Sequence, residues 1–183
     1  MNYLLLIFAG ILFLVALSAI FSVFIGRICP IPSSNNVIKT IISTIKKYDK
    51  GNGEIADIGS GYGYLLFKLA KAFPERKIIG YEVSVVPYVI SLIVKFVLRC
   101  NNVEIIFGDA FKNIKKRPEK LSSAVSYLCF FKPNNFLRTV LEDSVENVLL
   151  LNTYKLPDVE ATEESDILDI FKSKVYVYKA KKA

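Results

Sequence analysis

Apolar positions in this chain switch repeatedly between short continuous runs and a spacing of three to four residues. Runs at Glu54–Ile58, Lys77–Glu82, Val103–Phe107, Ser123–Cys129 and Val148–Leu151 predict five strands. Helical spacings lie between them. Val37, Ile38, Ile41, Ile42 and Ile45 mark one face of a leading helix that Ser34 or Asn35 can cap. Leu65, Leu66, Leu69, Ala70 and Phe73 stripe a second helix over Tyr64–Phe73, with Pro74 just beyond it. Val85–Arg99 predicts a third, very apolar helix, and Phe136, Leu137, Val140 and Leu141 a fourth. Ile167–Phe171 and Lys174–Lys179 predict a closing hairpin around Lys172-Ser173, with a helix as the alternative for its first arm. Strands separated by helical crossovers imply an α/β fold. The expected architecture is Rossmann-like: a doubly wound, mostly parallel sheet with a C-terminal antiparallel hairpin.

The first residues follow another pattern. Residues 3–26 contain no Asp, Glu, Lys or Arg. At the helical rise they would reach about 36 Å, enough to cross a ~30 Å hydrocarbon core. A cleaved signal peptide would want a basic leader and a shorter apolar run. The reading is therefore one N-terminal transmembrane helix over residues 1–27, a Pro-bearing linker over 28–36 and a single domain over 37–183. Arg27, Lys39, Lys46, Lys47 and Lys50 follow the span and no basic side chain precedes it. That asymmetry predicts a single-pass membrane protein with its domain on the cytosolic side.

Charge and cysteine content change the picture little. The 24 Lys and Arg outnumber the 17 Asp and Glu, for a net charge of +7. Such an excess fits nucleic acid or an anionic leaflet equally. Three widely spaced cysteines, Cys29, Cys100 and Cys129, give neither a disulfide framework nor a zinc pattern, and no metal is expected. Cys29 is read as a lipid attachment point or an inert thiol.

The chemistry concentrates at Asp57-Ile-Gly59-Ser60-Gly61-Tyr62-Gly63, between the first strand and the second helix. The glycines let a ligand approach the backbone, and the helix start offers free N–H groups. A dinucleotide would bring an anionic pyrophosphate against Asp57, which the carboxylate repels. S-adenosylmethionine brings an ammonium and a sulfonium, which it attracts. The third glycine also arrives one place earlier than in the dinucleotide fingerprint. Glu82, at the end of the second strand, can accept from both ribose hydroxyls. Asp109, after the third strand, can accept from the adenine amino group. In a parallel sheet these three sites share one edge.

These residues resemble a known family. Asp57–Gly63 looks like motif I of the class I, seven-strand S-adenosylmethionine-dependent methyltransferases, and Tyr81-Glu82 and Gly108-Asp109-Ala110 resemble its later cofactor positions. The resemblance implies a cofactor set of Asp57, Gly59, Ser60, Gly61, Gly63, Glu82, Asp109 and Ala110. A narrower similarity, to small membrane-anchored protein-lysine methyltransferases and their prokaryotic relatives, rests on the apolar leader, Pro30-Ile-Pro32, the segment Tyr81–Tyr88 and Tyr154–Pro157. It implies methylation of a lysine. Tyr62 and Tyr64 stand where those relatives carry Asp and Arg, and the Tyr-Leu-x-Pro signature does not align with Tyr127–Pro133 without a gap.

Methyl transfer needs an oriented acceptor and a dry site more than elaborate chemistry. The chain has no histidine, so a histidine base is excluded. Tyr127, Asn152 and Tyr154 fall at the ends of the fourth and fifth strands and are the acceptor-pocket candidates, each with a structural role as the alternative. Ser91, Lys95 and Arg99 form a narrow polar stripe on the third helix, which is read either as buried by its neighbours or as resting on the membrane with Lys95 and Arg99 at lipid phosphates. The partners expected are membrane lipid and a membrane-associated protein. Nucleic acid is disfavoured, because no interleaved aromatic platform accompanies the basic residues. Methylation of a membrane-soluble small molecule and a non-catalytic cofactor-binding assembly protein are the alternatives.

Overall fold

The computed structural model describes residues 3, 5–10, 13, 34–114, 121–126, 149–153, 155–156, 159–169 and 172–179. The strands are β1 (Glu54–Ile58), β2 (Ile78–Glu82), β3 (Val103–Phe107), β4 (Leu121–Ser126), β5 (Leu149–Asn152), β6 (Glu163–Asp166) and β7 (Lys174–Lys179). They form one seven-stranded sheet in the order β3-β2-β1-β4-β5-β7-β6. β1 to β5 are mutually parallel, and β7 runs antiparallel to both β5 and β6. Strand order reverses at β1, which lies between β2 and β4. The carboxyl ends of β1 and β4 therefore flank the topological switch point, where such sheets bind ligands.

Helices α1 (Asn35–Tyr48), α2 (Tyr64–Ala72), α3 (Val85–Leu98) and the short α4 (Ala110–Ile114) complete the described elements. The side chain of Ser34 caps α1, accepting from the Val37 N–H at 3.3 Å. Ile38, Ile41 and Ile45 of α1 and Leu65, Leu66 and Leu69 of α2 pack on one sheet face against Ile55, Ile78, Val125 and Leu151. The opposite face carries a second cluster with Ala56, Ile58, Ile79, Ala110, Ile114, Leu156 and Tyr178. With both faces covered, β2 is buried along its whole length. Pro74 cannot continue α2, and Asn102 closes its end by donating to the carbonyl oxygens of Ala70, Phe73 and Arg76 at 3.1, 3.2 and 3.2 Å.

Three expectations change. The first arm of the closing hairpin is Glu163–Asp166, upstream of the expected Ile167–Phe171. Its sequence, Glu-Glu-Ser-Asp, has no apolar alternation to reveal a strand. As the sheet's edge it is held by backbone pairing to β7 and by ion pairs such as Lys155–Glu164 (3.0 Å) and Lys174–Asp166 (2.9 Å).

The polar stripe of α3 does not face outward as a unit. Ser91 is buried and donates to the Tyr88 carbonyl at 2.7 Å, while Val89, Ile93 and Phe96 are exposed, Phe96 at 84%. A helix over an edge strand pair packs only a narrow strip, and here the small polar residue fits that strip.

The third change concerns the membrane. Among the described residues no helix is long and apolar enough to cross one. Of residues 1–33 only 3, 5–10 and 13 are described, in helical conformation, and the rest of the expected span and linker lies outside the described residues. The expected single-pass placement is corrected on this finding. Apolar composition measures how readily a segment leaves water; it does not distinguish lipid from another protein surface. The predicted helix around Phe136–Leu141 also lies outside the described residues.

Candidate functional site

The site begins where β1 ends. Glycines 59, 61 and 63 adopt φ of 76°, 55° and 84°, a region that side chains disfavour. The turn folds onto β2: the N–H groups of Gly59 and Ser60 both donate to the Tyr81 carbonyl at 2.9 Å, and the Gly63 N–H closes back on the Ser60 carbonyl at 2.9 Å. A Cβ at Gly59 or Gly61 would meet nothing within 4 Å, so the loop presents bare backbone to open space. Gly63 is constrained differently: a Cβ there would run into the Phe67 ring. Gly63 also precedes α2, whose start no side chain caps.

Glu82 joins the three loops of this edge. Its Oε2 accepts from the Gly61 N–H at 2.7 Å and its Oε1 from the Ser84 N–H at 2.7 Å. Its carbonyl accepts from the Gly108 N–H at 2.8 Å. The loops after β1, β2 and β3 thus meet at one residue, as the sequence pattern implied. Asp109 and the buried Ala110 follow at once, where α4 begins, and the Asn113 side chain donates to the Asp109 carbonyl at 2.8 Å.

Asp57 is the electrostatic centre. It is 3% exposed, and its Oδ2 has no hydrogen-bond partner. Burial, and then the negative charge of Glu82, push its carboxyl up from 3.8 to about 7. A buried carboxylate beside a second acid, with one oxygen unanswered and a bare glycine loop next to it, suits a cationic ligand. The observations fit S-adenosylmethionine: Asp57 toward its positive charge, Glu82 toward its ribose, and Gly59, Ser60, Gly61 and Gly63 against its body.

The remaining candidates divide. Asn152 ends β5, opposite Ser126 of β4 and Tyr176 of β7, so its backbone stands at the same edge. Tyr127 and Tyr154 lie outside the described residues. Tyr62 and Tyr64 are 39% and 45% exposed at the mouth, and the Tyr64 hydroxyl donates to Asn35 Oδ1 at 2.9 Å, tying α2 to α1.

Two residues escaped the sequence reading. Gly80 lies inside β2, where a Cβ would come within 2.8 Å of both Ser60 Oγ and Leu66 Cδ2. Its absence lets the turn sit down on the strand, and a glycine inside a strand was the available signal. Thr153 follows Asn152, and its Oγ1 is buried without a partner, as is Ser60 Oγ. Nothing in its sequence context marks it.

Comparison with known proteins agrees with this geometry. A family model described as "Putative methyltransferase" matches residues 52–149. The tRNA (guanine-N(7)-)-methyltransferase of Vanderwaltozyma polyspora is 34% identical over 119 residues, covering 56% of this chain and 41% of that protein. Its namesake in Debaryomyces hansenii is 34% identical over 107 residues, covering 53% and 37%. The chain thus spans about two fifths of the length of these curated relatives. An RNA methyltransferase from Salinibacter ruber, solved with S-adenosyl-L-homocysteine, superposes with a TM-score of 0.69 at 15% identity, covering 84% of this chain and 95% of that one. At that identity it shows a shared fold.

These findings revise two expectations. The wider class indicated by the glycine motif stands, but the relatives are named for tRNA and not for protein lysine. The disfavouring of nucleic acid, and with it the choice of membrane lipid and a membrane-associated protein, is overturned. An aromatic platform serves single-stranded binding, whereas a folded RNA is held largely through its phosphates.

Proposed function

The chain belongs to the methyltransferase family whose model spans residues 52–149, and from that premise we propose that it methylates RNA, at N7 of a guanine in a tRNA-like substrate, with S-adenosylmethionine as donor. The observation that carries the acceptor is the 34% identity to tRNA (guanine-N(7)-)-methyltransferases over 119 and 107 residues.

When bound, the donor would supply a methyl group on a sulfonium, the new bond to the acceptor lone pair forming as the carbon–sulfur bond breaks and the thioether leaves. Asp57 would hold its positive charge, Glu82 and Asp109 its adenosine, and the glycine loop its body. Guanine N7 carries no proton, so its lone pair is ready without a base. That suits a chain without histidine. A lysine acceptor would first have to lose a proton. Asn152 and Thr153 stand at the edge where the acceptor base would enter. The net charge of +7 favours a polyanion.

The test uses purified protein, methyl-labelled donor and an unmodified tRNA transcript, followed by nuclease digestion and nucleoside chromatography. Label is expected in 7-methylguanosine. Label in another nucleoside, or in co-purified protein while the RNA stays unlabelled, would sink the assignment.

A further inference from the structure

The outward faces of α1 and α2 carry a charge pattern that the donor site does not use. Neither helix contains an Asp or Glu. On α1 the exposed residues Lys39, Ser43 and Lys46 fall at i, i+4 and i+7, one stripe about 10 Å long at the helical rise, and the exposed Lys50 follows just past the helix. On α2 the exposed Tyr64, Lys68 and Lys71 fall at i, i+4 and i+7, a second stripe.

The two stripes run side by side in the same direction. The Tyr64 hydroxyl meets Asn35 Oδ1 at 2.9 Å where both helices begin. Lys46 Nζ stands 5.9 Å from the centre of the Phe73 ring where both end. Lys68 Nζ lies 5.6 Å from the centre of the Tyr64 ring, linking the basic stripe to the exposed tyrosine at the mouth of the site.

Two of the nearby acids are engaged elsewhere. Asp49, just past α1, is buried with Arg76. Glu163 pairs with Lys47 and Tyr48. Glu75 lies beyond the end of α2. Among the described residues Lys39, Lys46, Lys68 and Lys71 have no carboxylate partner, so their charges face water.

We propose that this two-helix face is where the phosphate backbone of the RNA substrate lies, running from the α1 and α2 amino ends at the donor site toward their carboxyl ends. The inference rests on the RNA reading above and adds the surface that reading leaves open. Charge complementarity selects the occupant. Two adjacent helices that carry exposed lysines and no acids of their own fit a polyanion, and they begin beside the glycine turn. α3, on the same side of the sheet, does not extend this basic face, because its exposed positions are apolar.

The experiment measures binding of a fluorescent unmodified tRNA transcript by anisotropy, from 50 to 300 mM salt. It compares the wild-type chain with Lys39→Ala/Lys46→Ala/Lys68→Ala/Lys71→Ala. A Lys155→Ala/Lys174→Ala control removes charge near β6 and β7. With four phosphate contacts gone, affinity at low salt is expected to fall about 100-fold, and the slope of log affinity against log salt to shrink by about 3 to 4. The control is expected to stay within about 3-fold. A version with the same four lysines changed to arginine is expected to restore binding, which a loss of folding would not permit. Donor affinity, read by calorimetry, is expected to match wild type in all three variants. A quadruple variant that keeps the wild-type affinity and salt slope overturns this surface while leaving the RNA reading intact. Wild-type chain that ignores RNA yet binds phosphatidylserine vesicles through these lysines overturns both.

Discussion

An acid without a cation beside it decides the behaviour of single residues here. Asp57 is buried beside Glu82, so its folded-state carboxyl titrates at about 7 against 3.8 when unfolded. The folded chain therefore holds a proton that the unfolded chain releases. Stability falls as pH rises from about 3.8 to about 7 and is level above that, a loss of order 4 kcal/mol from this group. Asp57→Asn removes the penalty, so the variant is expected to melt higher than wild type at pH 8 without donor. The same carboxylate must be ionised to hold a cation. Wild-type donor affinity should rise about tenfold between pH 6 and pH 8, following the ionised fraction. In Asp57→Asn the affinity should be weak and flat over that range. Calorimetry at both pH values checks this; a flat wild-type profile would show that Asp57 is not what the donor meets.

The elements around that residue were legible in the sequence to different degrees. β1 and β3 coincide with the apolar runs Glu54–Ile58 and Val103–Phe107, β1 as a central parallel strand covered on both faces and β3 as an edge strand covered by α3. α1 and α2 announced themselves by a single stripe each. β6 was misplaced because an edge strand of Glu-Glu-Ser-Asp owes its conformation to its partner strand. α4 was missed because a five-residue helix is too short to show a period. The glycine turn and Glu82 were readable from spacing. Gly80 and Thr153 were not, since their importance lies in a close contact and in a partnerless hydroxyl.

Opposite the site, another network closes the amino ends of the strands. Arg76 donates to Asp49 at 2.9 Å, to Ser122 at 2.9 Å and to the Gly53 carbonyl at 2.8 Å. Ser122 and Ser123 also donate to Asp49. Burial works to raise the Asp49 carboxyl, but the two serine hydroxyls and the Arg76 guanidinium hold it below 3.8. Its stabilising contribution is complete above about pH 4 and is lost as pH falls through the lowered value. Asp49→Asn leaves the buried guanidinium unpaired and is expected to lose about 3–5 kcal/mol at pH 7. The variant should also show a shallower decline in urea midpoint below pH 4 than wild type. An unfolding free energy at pH 7 within about 1 kcal/mol of wild type would mean that water replaces the carboxylate.

At the scale of the whole molecule, the donor site is also the place where the sheet's first half is tied together. Glu82 links the loops after β1, β2 and β3, while the glycine turn links β1 to the start of α2. A ligand seated there touches groups distant in sequence, so it binds the folded chain and not the unfolded one. Donor at a hundred times its dissociation constant then adds about 2.7 kcal/mol of stability. For a chain of 183 residues this corresponds to a rise in melting temperature of about 5–10 °C. The rise should be absent with a nicotinamide dinucleotide, whose pyrophosphate meets Asp57 and Glu82 as like charges. Glu82→Gln should shrink it, because the amide keeps one acceptor oxygen and turns an NH₂ toward the N–H of Gly61 or Ser84. Thermal melts of the two proteins with each ligand separate the possibilities. Equal stabilisation by donor and dinucleotide would mean that the acid-flanked turn does not select for positive charge, and the placement of the donor at Asp57 would fall with it.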